Sequence, residues 1–151
     1  MPVLEAVRER TALDPVALSR AYETASAEDR LRAAIGRLFR GRIALVSSFG
    51  ADSVVLLHLV ARVDAAVPVV FVDTGPLFPE TLTYRDQLIT RLGLTDVRTF
   101  GPDPADVALA DPDSFLWAGD QDRCCRVRKV LPLARALEGF DAWISGRKRF
   151  Q

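Results

Sequence analysis

The chain has 151 residues and a mass of 16.6 kDa, with 49% hydrophobic residues, enough for one folded domain with its own core. Lys+Arg and Asp+Glu both number 20, and the zero net charge excludes a globally basic nucleic-acid binder and an acidic disordered tail. No run approaches the about 18 apolar residues of a membrane span, and the first fifteen residues lack a signal peptide's apolar stretch, so the expectation is a cytoplasmic chain with neither membrane nor nucleic acid as partner.

The first forty residues read as helices. Asp14-Pro15 is a start signal, with Asp14 as N-cap and Pro15 at the first helical position. Ser26 with Asp29 resembles a capping box that opens a helix from Ala27 to Phe39, and Gly41 punctuates its end. The pattern then changes. Ile43 to Val46 is a continuous apolar run, followed by Ser47-Ser48-Phe49-Gly50 and a helix over Val54 to Val63. Val67 to Val72 is a second apolar run, ending at Asp73-Thr74-Gly75. Pro79-Glu80 opens a helix to about Leu92. Asp96 to Phe100 is a weaker strand. The segment Gly101 to Asp122 carries six acids and no base and reads as a solvated loop. Arg123 to Leu137 is helical, with Pro132 as a kink or break, and Asp141 to Ser145 is a fourth strand. From Arg123 onward eight bases face only Glu138 and Asp141, so the basic end is a candidate for meeting an anionic ligand.

Strands alternating with helices imply βαβ units and a parallel sheet, and continuous apolar strands imply burial on both faces. The expected architecture is α/β: an open parallel sheet sandwiched by helices, with an N-terminal helical segment over 1–41 and an α/β domain over 42–151. Ligands in such sheets sit beyond the carboxyl ends of the strands. Ser47 to Ser53, Asp73 to Pro76 and Ser145 to Arg149 all fall there.

Each cluster has a chemistry. In Ser47-Ser48-Phe49-Gly50-Ala51-Asp52-Ser53, the glycine admits close backbone approach, the serines supply hydroxyls and the following helix supplies free N–H groups, which together form an oxyanion cradle. It lacks the lysine and second glycine of a Walker loop, and an ordinary strand-to-helix turn with Asp52 as cap fits the residues equally well. Asp73 in Asp73-Thr74-Gly75 either caps a turn or binds a ribose hydroxyl. Cys124 and Cys125, the two cysteines of the chain, stand among Arg123, Arg126, Arg128 and Lys129, a setting that favours thiolates able to bind a soft metal centre or do redox chemistry. Two cysteines exclude a disulfide scaffold. The single histidine, His58, excludes a His-rich metal site and reads as a packed helix residue. Trp117 and Trp143 read as core.

Taken together, Ser47 to Ser53, Asp73-Thr74-Gly75, the Cys124-Cys125 pair with Lys129 and Pro132-Leu133, and Ala142 to Gln151 resemble the assimilatory sulfonucleotide reductases, the adenylyl-sulfate (APS) and phosphoadenylyl-sulfate (PAPS) reductases. The resemblance runs from about residue 30 to the end. It implies an adenine-nucleotide α-hydrolase-like fold and the reduction of a nucleotide-borne sulfate to sulfite, with AMP or its 3′-phosphate released and thioredoxin or glutaredoxin as reductant. The tandem cysteines imply the APS type and a 4Fe-4S cluster with Cys124 and Cys125 as its first two ligands. Lys129 then lies between cluster and substrate. By the same resemblance Ser47, Ser48, Phe49, Gly50, Asp52 and Ser53 are expected to embrace the phosphosulfate, Asp73, Thr74 and Gly75 to form the nucleotide-side turn, and Gly146, Arg147 and Arg149 to begin an arginine-rich loop. The family's second cysteine pair and the cysteine of its Glu-Cys-Gly-Leu-His tail have no counterpart in the 151 residues. The expectation is therefore a partial form, inactive alone, with no catalytic nucleophile of its own. An ATP pyrophosphatase-type adenylating enzyme, whose loop reads Ser-Gly-Gly-x-Asp-Ser, and a non-catalytic nucleotide-binding remnant are the alternatives. Oligomeric state is open, a homo-oligomer included.

Overall fold

The computed structural model describes residues 13–147. Arg149 and the rest of the last four residues lie outside that range, as do the first twelve.

Local sequence rules account for most elements. Helix α1 (Pro15–Ala21) starts where the Asp14 carboxylate accepts the Val16 amide at 2.9 Å. Helix α2 (Ala27–Ala33) starts at Ser26, whose hydroxyl accepts the Asp29 amide at 3.1 Å and donates to the Asp29 carboxylate at 2.7 Å. It runs on as a wider π turn over Ala34–Leu38. After strand β1 (Ile43–Val46) and a 3-10 turn (Ala51–Ser53) come helix α3 (Val54–Val63), strand β2 (Val69–Val72), helix α4 (Pro79–Leu92) and strand β3 (Val97–Phe100).

The stretch 101–122 departs from the expected loop. It holds helix α5 (Pro104–Ala110) and the single turn α6 (Leu116–Gly119). Asp103 caps α5 by accepting the Ala105 amide at 2.8 Å, with Pro104 behind it. This is the Asp-Pro start signal that opens α1. Nor is the segment simply solvated, because Asp111 is only 4% exposed.

Helix α7 (Gln121–Cys125) passes through a π turn (Arg126–Val130) into α8 (Leu131–Ala136), and strand β4 (Ala142–Ile144) follows. Pro132 does not break this helix: Val130 and Leu131 keep right-handed helical backbone, and the wide turn just upstream accommodates the proline's missing donor.

The sheet order is β3-β2-β1-β4, with every pairing parallel. Strand alternation divides the core between its two faces. Ile43, Leu45, Val69 and Phe71 meet Leu31, Ile35, Leu57, Val60 and Leu88 from α2, α3 and α4 on one side. Ala44 and Val70 meet Ala136, with Leu133 and Phe140, on the other. The central strands β1 and β2 are buried over three of their four residues, while the edge strands β3 and β4 stay half-exposed. Trp143 on β4 is 59% exposed, so it is not core. His58 is on α3 as expected but faces solvent.

The chain steps from β1 to β2 to β3 in one direction and then returns to the far side of β1 as β4. In sheets of this order ligands bind at the carboxyl ends of the strands, the end at which the polar segments after β1, β2 and β4 emerge.

Candidate functional site

The segment after β1 is an elbow pinned from below. Phe49 has a φ of 55°, left-handed backbone that a bulky residue seldom adopts. Its ring is 1% exposed and stands edge-on to Phe71, with centroids 5.8 Å apart. The buried Ser47 hydroxyl accepts the Phe49 amide at 3.1 Å. The glycine beside it behaves differently. Gly50 has a φ of −67°, and a Cβ built there would touch only Ser48 Oγ at 3.5 Å. Neither backbone angle nor crowding inside the protein demands glycine at 50, so its bareness leaves room above the elbow. Neither Asp52 nor Ser53 caps the turn or helix that follows, so the simple capped-turn reading of this segment does not hold.

The turn after β2 is closed by Asp73, whose carboxylate accepts the Gly75 amide at 2.8 Å, so Asp73 takes the turn-capping role. Gly75 has a φ of 103°, and a Cβ there would lie 3.3 Å from the Arg128 guanidinium. Both conditions call for glycine.

Elbow, turn and π turn meet over a cleft of about 410 Å³, where Ser47, Ser48, Thr74, Thr81 and Lys129 ring an apolar floor that includes Leu133. A second cleft of about 300 Å³ adjoins it, walled by Cys124, Cys125, Gln121, Trp117, Thr74, Pro76, Arg128 and Lys129. Thr74 and Lys129 line both. Cys124 is half-buried, Cys125 is exposed, and both are free thiols. Trp117 is 59% exposed and pairs with Phe115 at 5.5 Å, so it is a wall of the cysteine cleft, and the expectation that it belongs to the core fails. A larger cavity, about 430 Å³, lies beside Gly36, Arg40, Gly41 and Asp64, next to the amino end of β1 and remote from the motif residues.

The structure thus joins two of the three clusters in one pair of clefts. The third shares the same end of the sheet: Gly146 follows β4, and a Cβ on it would lie 3.8 Å from Leu56 of α3. Residues 145–147 do not line either cleft. Thr81, Gln121 and Trp117 were not among the expected site residues. Thr81 sits in the first turn of α4 and Gln121 at the first position of α7, and the sequence marks neither position as facing the strand ends. Asp111 was equally hidden. Its carboxylate accepts from Arg128 at 2.8 Å and from the Leu116 amide at 2.9 Å, and the Arg128 bond, then the Leu116 amide, hold its pKa below the ordinary carboxylate range. Among the described residues no group of three or more His, Cys, Asp or Glu is placed to hold a metal ion, and no helix is long and apolar enough to cross a membrane.

A parallel sheet between helix layers, with a hydroxyl-rimmed cleft at its strand ends, is the construction of a doubly wound α/β protein with its candidate ligand site at the strand ends. The phosphoadenosine phosphosulfate reductase domain model matches residues 42–151, and the chain belongs to that family. It is 54% identical over 114 residues to an adenosine 5′-phosphosulfate reductase of Mesorhizobium japonicum, covering 76% of this chain and 45% of that protein. It is 48% identical over 141 residues to the enzyme of the same name from a Chelativorans species, covering 92% of this chain and 57% of that one. The chain spans about half the length of these relatives. The crystal structure of a phosphoadenylyl-sulfate reductase from Candida auris, a phosphate complex, superposes with a TM-score of 0.73 at 23% identity, over 90% of this chain and 69% of that one, which supports the fold.

Proposed function

We propose that this chain is the nucleotide-binding part of a thioredoxin-dependent adenylyl-sulfate reductase of sulfate assimilation, working in the cytoplasm. In that reaction adenylyl sulfate takes two electrons from a dithiol and yields sulfite, AMP and a disulfide. The observation that carries the reading is the pair of adjoining clefts. A hydroxyl-rimmed cleft at the strand ends shares Thr74 and Lys129 with a cleft walled by two free cysteines. The adenosine lies on the apolar floor. The phosphosulfate lies toward Ser48 and the bare Gly50, with the Lys129 ammonium against its negative charge. The positive charges of Arg147 and Arg149, which follow β4 in the sequence, serve the nucleotide's anionic end in this reading. The two relatives most similar among those described above act on the APS form of the nucleotide by their names, which favours APS over PAPS.

The 4Fe-4S cluster that the tandem cysteines imply needs four thiolates. The sequence has two cysteines, and both are in the pair. The residues present do not complete such a site, and no chemistry of this chain runs through a cluster in this reading. No third cysteine serves as a nucleophile, so the chain by itself binds nucleotide without releasing sulfite.

Titration calorimetry with APS, AMP and ATP tests the reading. APS and AMP are expected to bind one site, and ATP more weakly. Lys129→Ala is expected to weaken APS by about 10- to 100-fold, the worth of a charge-assisted contact. ATP as the preferred ligand, or APS affinity unmoved by Lys129→Ala, contradicts it.

A further inference from the structure

The wall that carries Trp117 is hung from one buried ion pair. The side chains of Arg128 and Asp111 are 16% and 3% exposed. Each polar end of the pair reaches a different segment. Arg128 Nη2 donates to Asp111 Oδ2 at 2.8 Å, and Nη1 donates to the Thr74 carbonyl at 3.1 Å. Asp111 Oδ1 accepts the Leu116 amide at 2.9 Å and so holds α6, next to Trp117. Gly75, the neighbour of Thr74, lacks a side chain where one would press on the guanidinium. Arg128 itself rides on the π turn between Cys125 and Lys129. One guanidinium therefore joins the β2 turn, the acidic excursion and the cysteine helix, and these are the walls of the cysteine cleft.

We propose that Asp111 and Arg128 are positioning residues: their pair, with Arg128 itself in the wall of the cysteine cleft, sets Thr74, Trp117 and Lys129 in register around the two clefts and so tunes nucleotide binding in the cleft that neither of them lines. The fork of an arginine is required, because a lysine's single ammonium cannot span the Thr74 carbonyl and the Asp111 carboxylate with fixed geometry. The role rests on the nucleotide-binding reading above for its effect on affinity, while its effect on the wall stands apart from that reading.

The test uses the whole chain and two readouts. In a Trp143→Phe background, Trp117 is the sole tryptophan. Arg128→Lys and Asp111→Asn are each expected to raise acrylamide quenching of Trp117 and to weaken AMP by about tenfold in calorimetry, the size of effect a displaced contact group produces. The double variant is expected to lose little more than either single one, because both act on one element. A variant that lowers the urea midpoint but leaves quenching and AMP affinity unchanged overturns the proposal, since the pair would then be structural only. If native chain binds no AMP, the nucleotide reading fails and the quenching arm alone decides the clasp. If either substitution unfolds the chain, hydrogen exchange on the native protein decides. The amides of 104–119 are expected to open together with those of 121–130, and separate, faster opening of 104–119 overturns it.

Discussion

The elbow that lines one cleft and the wall that carries Trp117 in the other are made by different physics. The elbow after β1 is rooted in the core: a serine hydroxyl two residues back and a ring packed on Phe71 of β2 hold the left-handed Phe49. The wall that carries Trp117 has no such root. Its helices α5 and α6 add no residue to the buried core, and Asp111, their buried residue, is fastened by an arginine seventeen positions away. The contrast teaches that a strained loop rooted in the core can be held by its neighbours, while an excursion without a core of its own depends on one polar fastening.

Breaking the elbow should have the largest effect. Phe49→Ala removes a ring that is 1% exposed and is expected to cost about 3–5 kcal/mol in urea unfolding. Phe49→Gly removes the same ring but relieves the left-handed backbone penalty of about 1–2 kcal/mol, so the glycine variant is expected to be the more stable of the two despite being smaller. Equal stabilities would mean that the elbow is not strained.

Breaking the fastening should come next and should depend on pH. Asp111 titrates below its ordinary range in the folded chain, with the Arg128 hydrogen bond as the main cause. Its contribution is therefore complete above the ordinary carboxylate range and is lost as the pH falls through the folded value. Asp111→Asn is expected to lower the melting temperature at pH 7, and its gap to the native chain should narrow below about pH 4. A gap independent of pH would remove the charge from the account.

The smallest effect sharpens the comparison. Asp103→Ala and Asp14→Ala remove the same capping hydrogen bond, at 2.8 and 2.9 Å, from α5 and α1. Each is expected to cost about 1 kcal/mol. Only the Asp103 change is expected to raise Trp117 quenching, because α5 leads into the wall and α1 does not.

Much of this was legible in the sequence because the signals are short-ranged. The Asp14 and Ser26 caps, the apolar runs of β1 and β2 and the Pro79 start all lie within a few residues of the element they specify, and the polar clusters after the strands follow from parallel topology. The Asp103-Pro104 start was equally available but was masked by the acidic composition around it. Asp111 was not available at all. Nothing in a run of six aspartates marks the one that will be buried, because its partner enters seventeen residues later. Trp117 and Trp143 misled for a related reason: an aromatic residue's size argues for burial, while an edge strand and a cleft wall leave it exposed. The Phe49 conformation was hidden because a phenylalanine gives no hint of positive φ, although the glycine at that place in the related Ser-Gly-Gly-x-Asp-Ser loops fits the same backbone.

Amide chemical-shift mapping of an AMP titration tests the central claim most directly, since it reports where the nucleotide sits among the cavities of the molecule. The largest shifts are expected at Ser48, Gly50, Thr74 and Lys129, with the residues around Gly36, Gly41 and Asp64 at the other end of β1 unmoved. Shifts concentrated on Gly36, Gly41 and Asp64 with the elbow silent would contradict the assignment of the strand-end cleft as the nucleotide site.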